Sequence, residues 1–374
     1  MSLPYSPAEV ETLLGELVSI DSVNPALVPG GAGEAEIARF VSNWSRDAGL
    51  GVEIVEPAPG RPSVVATAAG TGGGRSLMLN AHLDTVGVAG MAAPHEPRVE
   101  DGRLHGRGSY DMKGGLAACM LAAAAASRER LAGDVILAAV SDEEHSSIGV
   151  QAVLERVRTD ACVVTEPTEL RVCVAHKGFA WWRITAHGRA AHGSRPDLGS
   201  DAIARMGAAL SGLTELDRRL ESRVHPLVGR ASVHASLIAG GQELSSYPET
   251  CVLDVERRTL PGETREDLEA ELHGLLDGEL DGEITLVREP FEVDSEEVVV
   301  ELVRRQAATV LGREPDVVGA PYWMDAAFTS AAGIPTVVFG PRGAGAHATD
   351  EWVELASVRA CAETLLATAA ELCR

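Results

Sequence analysis

Four short apolar runs, each closed by polar or charged residues, limit this chain more than any other feature. They are residues 76–81 ("SLMLNA"), 134–140 ("DVILAAV"), 161–165 ("ACVVT") and 334–340 ("IPTVVFG"). Each is too short for a typical helix and apolar on both faces, the pattern of strands inside a largely parallel sheet. Helical patterns lie around and between them: amphipathic segments at 6–20 and 34–48, an Ala-rich segment at 114–128 and another at 147–158. Short strands are predicted at 52–55 and 63–67. Alternation of this kind describes an α/β layer on a buried, mostly parallel sheet. The Gly-rich "AGTGGGRS" at 69–76 lacks the G-x-x-x-x-G-K-[ST] spacing of a phosphate loop, and reads as a hairpin turn.

Between 177 and 287 the texture changes. "FAWWRITAHG" (179–188) alternates like a half-exposed strand, followed by a helix at 200–221, strands at 231–239 and 251–258, and a helix near 262–277. This is the outline of a small α+β domain set into the first. The expected organisation is a discontinuous catalytic domain, 1–176 and 288–374, carrying an inserted domain at 177–287. A length of 374 residues itself favours two cores.

Charge removes some functions from consideration. The formal net charge is −23, and no Lys/Arg cluster suited to phosphates appears, so a nucleic-acid partner is not expected. No run approaches the roughly 20 apolar residues of a membrane span, and Ser6-Pro7-Ala8-Glu9 reads as a helix capping box, not a leader peptide. Six cysteines without a C-x-x-C pair point to reduced thiols and a cytoplasmic location.

The ends of the apolar runs carry the chemistry. The first ends in His82 and Asp84, the second in Ser141-Asp142-Glu143-Glu144, the third in Glu166, and the fourth leads into a Gly-rich loop with His347. Asp111 stands just before the Ala-rich helix. Sites in open α/β sheets form at the carboxyl ends of strands, so these segments can converge. Two neutral imidazoles among carboxylates suit a pair of Zn2+ ions, and the absence of cysteine from these segments disfavours a closed structural zinc site. A shared carboxylate holds such ions about 3.5–4 Å apart. Asp84 is expected to accept the other ring N–H of His82 and so fix its tautomer.

Taken singly, each residue has an ordinary explanation: a capped histidine, a helix-terminal acid, an N-cap aspartate. Jointly, "NAHLDTV", "GRGSYDMKGG", "SDEE", "TEPT" and "AHATDEWVEL" resemble, in order and over about residues 10–360, the di-zinc deacylase and exopeptidase family. That family includes acetylornithine deacetylase, succinyl-diaminopimelate desuccinylase, aminoacylase and glutamate carboxypeptidase. The resemblance implies that His82, Asp111 and Glu166 bind one Zn2+, and Asp111, Glu144 and His347 the other, with Co2+ or Mn2+ as possible substitutes. It implies Glu143 as general base, Asp84 as the partner of His82, and a cis Asp111–Met112 peptide.

In the inserted segment, "GRAAHGSRPDLGSDAI" resembles the family's lid, whose His192 would stabilise the oxyanion in the partner subunit of a homodimer. Arg258, in "VERRTLPGE", matches the arginine that grips the substrate carboxylate, with Arg257 beside it as the open alternative. The reaction implied is removal of the acyl group from an N-acyl amino acid by a zinc-bridging hydroxide, with Glu143 shuttling the proton. A dipeptidase or carboxypeptidase of the same chemistry is the alternative. A non-catalytic binding relative is disfavoured by the intact Glu143. His145 is left without a chemical role, and residues 322–325 and 340–346 are expected to line the substrate pocket.

Overall fold

Leu77–His82, Val135–Val140 and Ala161–Val164 are strands in which every residue is buried, as apolarity on both faces requires. The structure, a computed structural model describing residues 3–276, 278 and 280–374, pairs them in parallel with one another and with Thr336–Val338. The sheet runs Gly51–Val55, Ser63–Ala68, Val135–Val140, Leu77–His82, Ala161–Val164, Thr336–Val338, Val172–His176. Outside the four central strands the pairings are antiparallel, so the sheet is mixed, with its parallel part at the centre.

The Gly-rich loop at 69–76 is not a hairpin. Val135–Val140 lies between Ser63–Ala68 and Leu77–His82, and the loop bonds instead to residues 131 and 132, through Thr71 N–H to the Leu131 carbonyl and Gly72 N–H to that of Ala132. Gly70 and Gly74 serve close approach, a Cβ on Gly70 lying 2.4 Å from the Ala132 carbonyl oxygen, while Gly72 and Gly73 supply positive φ in open space.

Gly114–Ala126 is a helix in which all 13 residues are buried, as expected of a segment apolar all round. It packs between the central strands and the C-terminal helix Leu355–Leu372. The helix expected at 147–158 runs only over Ile148–Leu154, because the Val153 carbonyl takes both the Arg156 and Val157 N–H groups and closes it with a tight turn. The capping box at Ser6 and Glu9 is present and starts the helix Pro7–Ser19. These elements belong to one compact unit, Met1–Val174 with Val293–Val318 and Met324–Arg374.

A second unit comprises Ala175–Glu292 and Gly319–Trp323, slightly wider than 177–287 and including a short excursion of the later chain. Its antiparallel sheet runs Ser232–Gly240, Thr250–Thr259, Gly178–His187, Leu280–Arg288. One face, with Trp182, Ile184, Leu253 and Val255, is buried in a core with residues of the helices Ala202–Leu220 and Arg265–His273. The end of the latter helix expected at 277 lies outside the described residues. The strand Leu280–Arg288 escaped the sequence pattern because an irregularity between Ile284 and Leu286 interrupts its period-two alternation. Among the described residues, no helix is long and apolar enough to cross a membrane.

Candidate metal centre

Parallel pairing brings the carboxyl ends of the central strands side by side. His82 is the last residue of Leu77–His82, and Glu143 and Glu144 follow Val135–Val140. Glu166 follows Ala161–Val164. Asp111 comes from the turn Ser109–Lys113 that feeds the buried helix, and its peptide to Met112 is cis, as the resemblance implied. His347 stands in the loop after Gly343–Ala344 with φ of +61°.

These side chains meet. Asp111 Oδ1 lies 3.3 Å from His82 Nε2, and Asp111 Oδ2 lies 3.2 Å from His347 Nε2. Glu166 Oε1 is 3.6 Å from the first imidazole nitrogen, and Glu144 Oε2 is 3.2 Å from the second. One carboxylate therefore faces two imidazoles with different oxygens, each imidazole having a further glutamate beside it. Glu143 stands close too: ligand atoms of His82, Glu143 and Glu166 all lie within 4.8 Å of one another.

The expected role of the Asp84 carboxylate is corrected. His82 Nδ1 lies 2.8 Å from the main-chain carbonyl of Asp84, against 3.7 Å from its carboxylate. A carbonyl only accepts, so Nδ1 carries a proton, which leaves Nε2, the nitrogen facing the carboxylates, as the one that can bind an ion once its own proton is lost. The tautomer is set by Asp84 as anticipated, through a different atom. The Asp84 side chain instead accepts the main-chain N–H groups of Glu143 (3.0 Å) and Glu144 (3.2 Å) and the Asn24 amide (2.7 Å).

Charge is unbalanced here. Burial raises the carboxyl pKa of Glu143, and the neighbouring Glu166, Asp325 and Glu144 raise it further against the opposing pull of His82. Glu144 and Glu166 are likewise raised, chiefly by burial. Burial works against ionised Asp111, but hydrogen bonds with His347 and His82 outweigh it and hold this carboxyl low. His347 is raised to about 10 by its hydrogen bonds to Asp111 and Glu144. His82 is raised as well, its burial being outweighed by Asp111 and the surrounding acids. So many anions at one buried place call for cations. Glu144 Oε1 is buried without a hydrogen-bond partner, an acceptor left over after the protein's own donors are used. The donor set, imidazole nitrogen and carboxylate oxygen, fits two borderline divalent ions.

One supporting residue was not anticipated. Glu351, its side chain fully buried, accepts from the main-chain N–H groups of Gly108 (2.9 Å), Tyr110 (2.9 Å) and Asp111 (3.0 Å) and from Arg107 (2.6 Å). It fastens the turn that presents Asp111. Its spacing from His347 in "HATDE" was the available signal, but four donors from residues 107–111 cannot be read from a glutamate some 240 positions away.

Of the remaining predicted residues, His192, Arg257 and Arg258 lie in the second unit and His145 in the first. His192 is exposed, with Nδ1 2.8 Å from the Ser194 hydroxyl. Arg257 is fully buried and bound to Glu271 (2.9 Å) and Glu263 (2.6 Å). Arg258 points to the opposite face, its guanidinium 5.2 Å from the centre of the Phe179 ring and 2.8 Å from Glu256. His145 is exposed, 2.7 Å from the Ser146 hydroxyl.

Over 94% of both chains, the protein is 28% identical to an acetylornithine deacetylase of Proteus mirabilis (strain HI4320). In fold it is similar to a tripeptidase of Staphylococcus aureus, with a TM-score of 0.80 and 21% identity over 99% of each chain. A dinuclear metal binding peptidase of Bacillus subtilis gives 0.76 and 15% over 98% of each. Residues 78–371, from the strand that delivers His82 into the C-terminal helix, match the model of peptidase family M20/M25/M40. With that match and a two-imidazole, shared-carboxylate centre at its heart, the chain belongs to this family of metal-dependent hydrolases.

Proposed function

We propose that the protein is a zinc-dependent deacylase that removes the acyl group from an N-acyl amino acid. The observation that carries this reading is Asp111 set between His82 and His347, one oxygen toward each. His82, Asp111 and Glu166 would hold one ion, and Asp111, Glu144 and His347 the other. Such ions supply Lewis acidity, polarising an amide carbonyl and acidifying water to near neutral pH. Glu143 is the base: it takes the proton of the attacking water and returns it to the leaving nitrogen.

His192 is proposed as the oxyanion donor and Arg258 as the group that grips the substrate carboxylate with two parallel N–H bonds. Burial of Arg257 against two glutamates supports Arg258 over its neighbour. A homodimer through the inserted unit is supported by its edge strand Ser232–Gly240, on which Leu237 and Ile238 are exposed. A cytoplasmic setting is supported by six buried cysteines that are all thiols. The similarity to an acetylornithine deacetylase favours a deacylase over a peptidase.

The deciding experiment incubates Zn2+-loaded protein with a panel of N-acetyl and N-succinyl amino acids and dipeptides, assaying free amine. Release from N-acyl amino acids is expected. Release from dipeptides alone would make it a peptidase, and no release from any amide with two ions bound would make it a binding protein.

A further inference from the structure

Residues 141–144 carry both Glu143 and Glu144, yet this short turn is held mainly by side chains from elsewhere. Asp142 has a φ of +67°, a left-handed conformation that non-glycine residues keep only where the surroundings impose it. Of the imposing groups, Asn24 and Glu34 are buried and Arg61 is partly so. Glu34, with no exposed side-chain surface, accepts the Asp142 N–H at 3.1 Å. Arg61 grips the same Glu34 through Nε (2.6 Å) and Nη2 (2.7 Å), and Nη2 also reaches Asp142 Oδ1 (2.8 Å) and Asn24 Oδ1 (3.2 Å). Asn24 Nδ2 donates to Asp84 Oδ2 (2.7 Å) and to Asp142 Oδ1 (2.9 Å). Asp84 in turn accepts the N–H groups of Glu143 and Glu144.

Chemistry singles out these residue types. Asp84 and Asp142 are two acids drawn to one amide nitrogen, which has a proton for each. An aspartate at 24 would place a third carboxylate there. Among the described residues Arg61 is the cation paired with Glu34 and Asp142, and its planar fork meets Glu34 with two bonds. None of Asn24, Glu34 and Arg61 is among the proposed metal ligands or proton carriers.

We propose that Asn24, Arg61 and Glu34 form a buried brace that positions Glu143 for proton transfer. They are positioning residues, acting through Asp84 and Asp142. This rests on the assignment of Glu143 as the base.

The test is a kinetic cycle with Asn24→Ala and Glu143→Gln, singly and together, on the best substrate of the panel, with bound metal and circular dichroism measured for each. Asn24→Ala is expected to lower kcat by about 10²-fold, the scale of a misplaced catalytic group, with KM within about threefold and both ions retained. In the Glu143→Gln background the same substitution is expected to change the residual kcat by less than about twofold, since the brace acts through the missing carboxylate. Equal losses in both backgrounds would assign Asn24 a general structural role and overturn the proposal, as would an Asn24→Ala protein with unchanged kcat. Should Asn24→Ala fail to fold, Arg61→Lys keeps the cation and loses the fork. A fall in its kcat at unchanged KM supports the brace, and wild-type kcat overturns it. Wild-type turnover by Glu143→Gln would instead remove the base itself, and with it the reading on which the brace rests.

Discussion

At Asp111, a single side chain faces two imidazoles while its main-chain N–H is held by Glu351. Glu351→Ala would strand three N–H groups and the buried guanidinium of Arg107. We expect a loss of about 3–5 kcal/mol in urea unfolding, the usual result of breaking a buried pair. In any folded fraction a chelator competition should read about 10–100-fold weaker Zn2+ binding, because the turn presenting the ligand loses its support. Glu143→Gln should keep both ions and lower kcat by about 10²–10⁴-fold, the range of a general acid–base group. Near-wild-type kcat would sink that role. The ligand types were legible because metal chemistry demands His, Asp and Glu, and strand ends advertise them. Asn24, Glu34, Arg61 and Glu351 were not, since a hydrogen bond between distant positions leaves no local pattern. The partner of His82 Nδ1 was misjudged for a related reason: every residue has a carbonyl, so a main-chain acceptor has no sequence signature.

Among the elements, the central strands could be foreseen because burial on both faces leaves an unbroken apolar run. The Gly-rich loop at 69–76 could not, because glycine marks both a tight turn and a close approach. Gly115 is the clearer case of approach. A Cβ there would stand 2.2 Å from the Thr165 carbonyl oxygen, at the end of the strand that leads to Glu166. Gly115→Ala should therefore push helix and strand apart. We expect about 1–3 kcal/mol of destabilisation in urea, the scale of overpacking, together with weaker binding of the ion proposed for Glu166. Unchanged stability and metal affinity would show that the contact yields freely.

The whole molecule should respond to pH with opposite sign in its metal-free and metal-loaded forms. Without ions, His82 and His347 have raised pKa values, that of His347 to about 10. Their contribution is complete below the unfolded value near 6.5 and fades as pH rises through the folded values. Raised Glu143, Glu144 and Glu166 act in the same direction, binding protons more tightly folded than unfolded. Asp111 opposes them, as do His95 and buried Lys113, whose pKa values burial lowers, that of Lys113 to about 7, but these are outnumbered. The Tm of the metal-free protein should thus fall between pH 5 and 9. Zn2+ must displace the imidazole protons, so its affinity and the Tm increment it confers should increase over the same interval. Calorimetry in two buffers of different ionisation enthalpy should register proton release, and its absence would refute the assignment. A last consequence concerns synthesis. The wholly apolar helix Gly114–Ala126 is covered in part by Leu355–Leu372, made more than two hundred residues later. During translation an exposed greasy rod must wait, with Asp111 at its mouth, for some two hundred intervening residues to arrive before it is sheltered. Metal acquisition should accordingly follow synthesis of residues 355–372, and nascent chains halted before 355 should capture chaperones rather than metal.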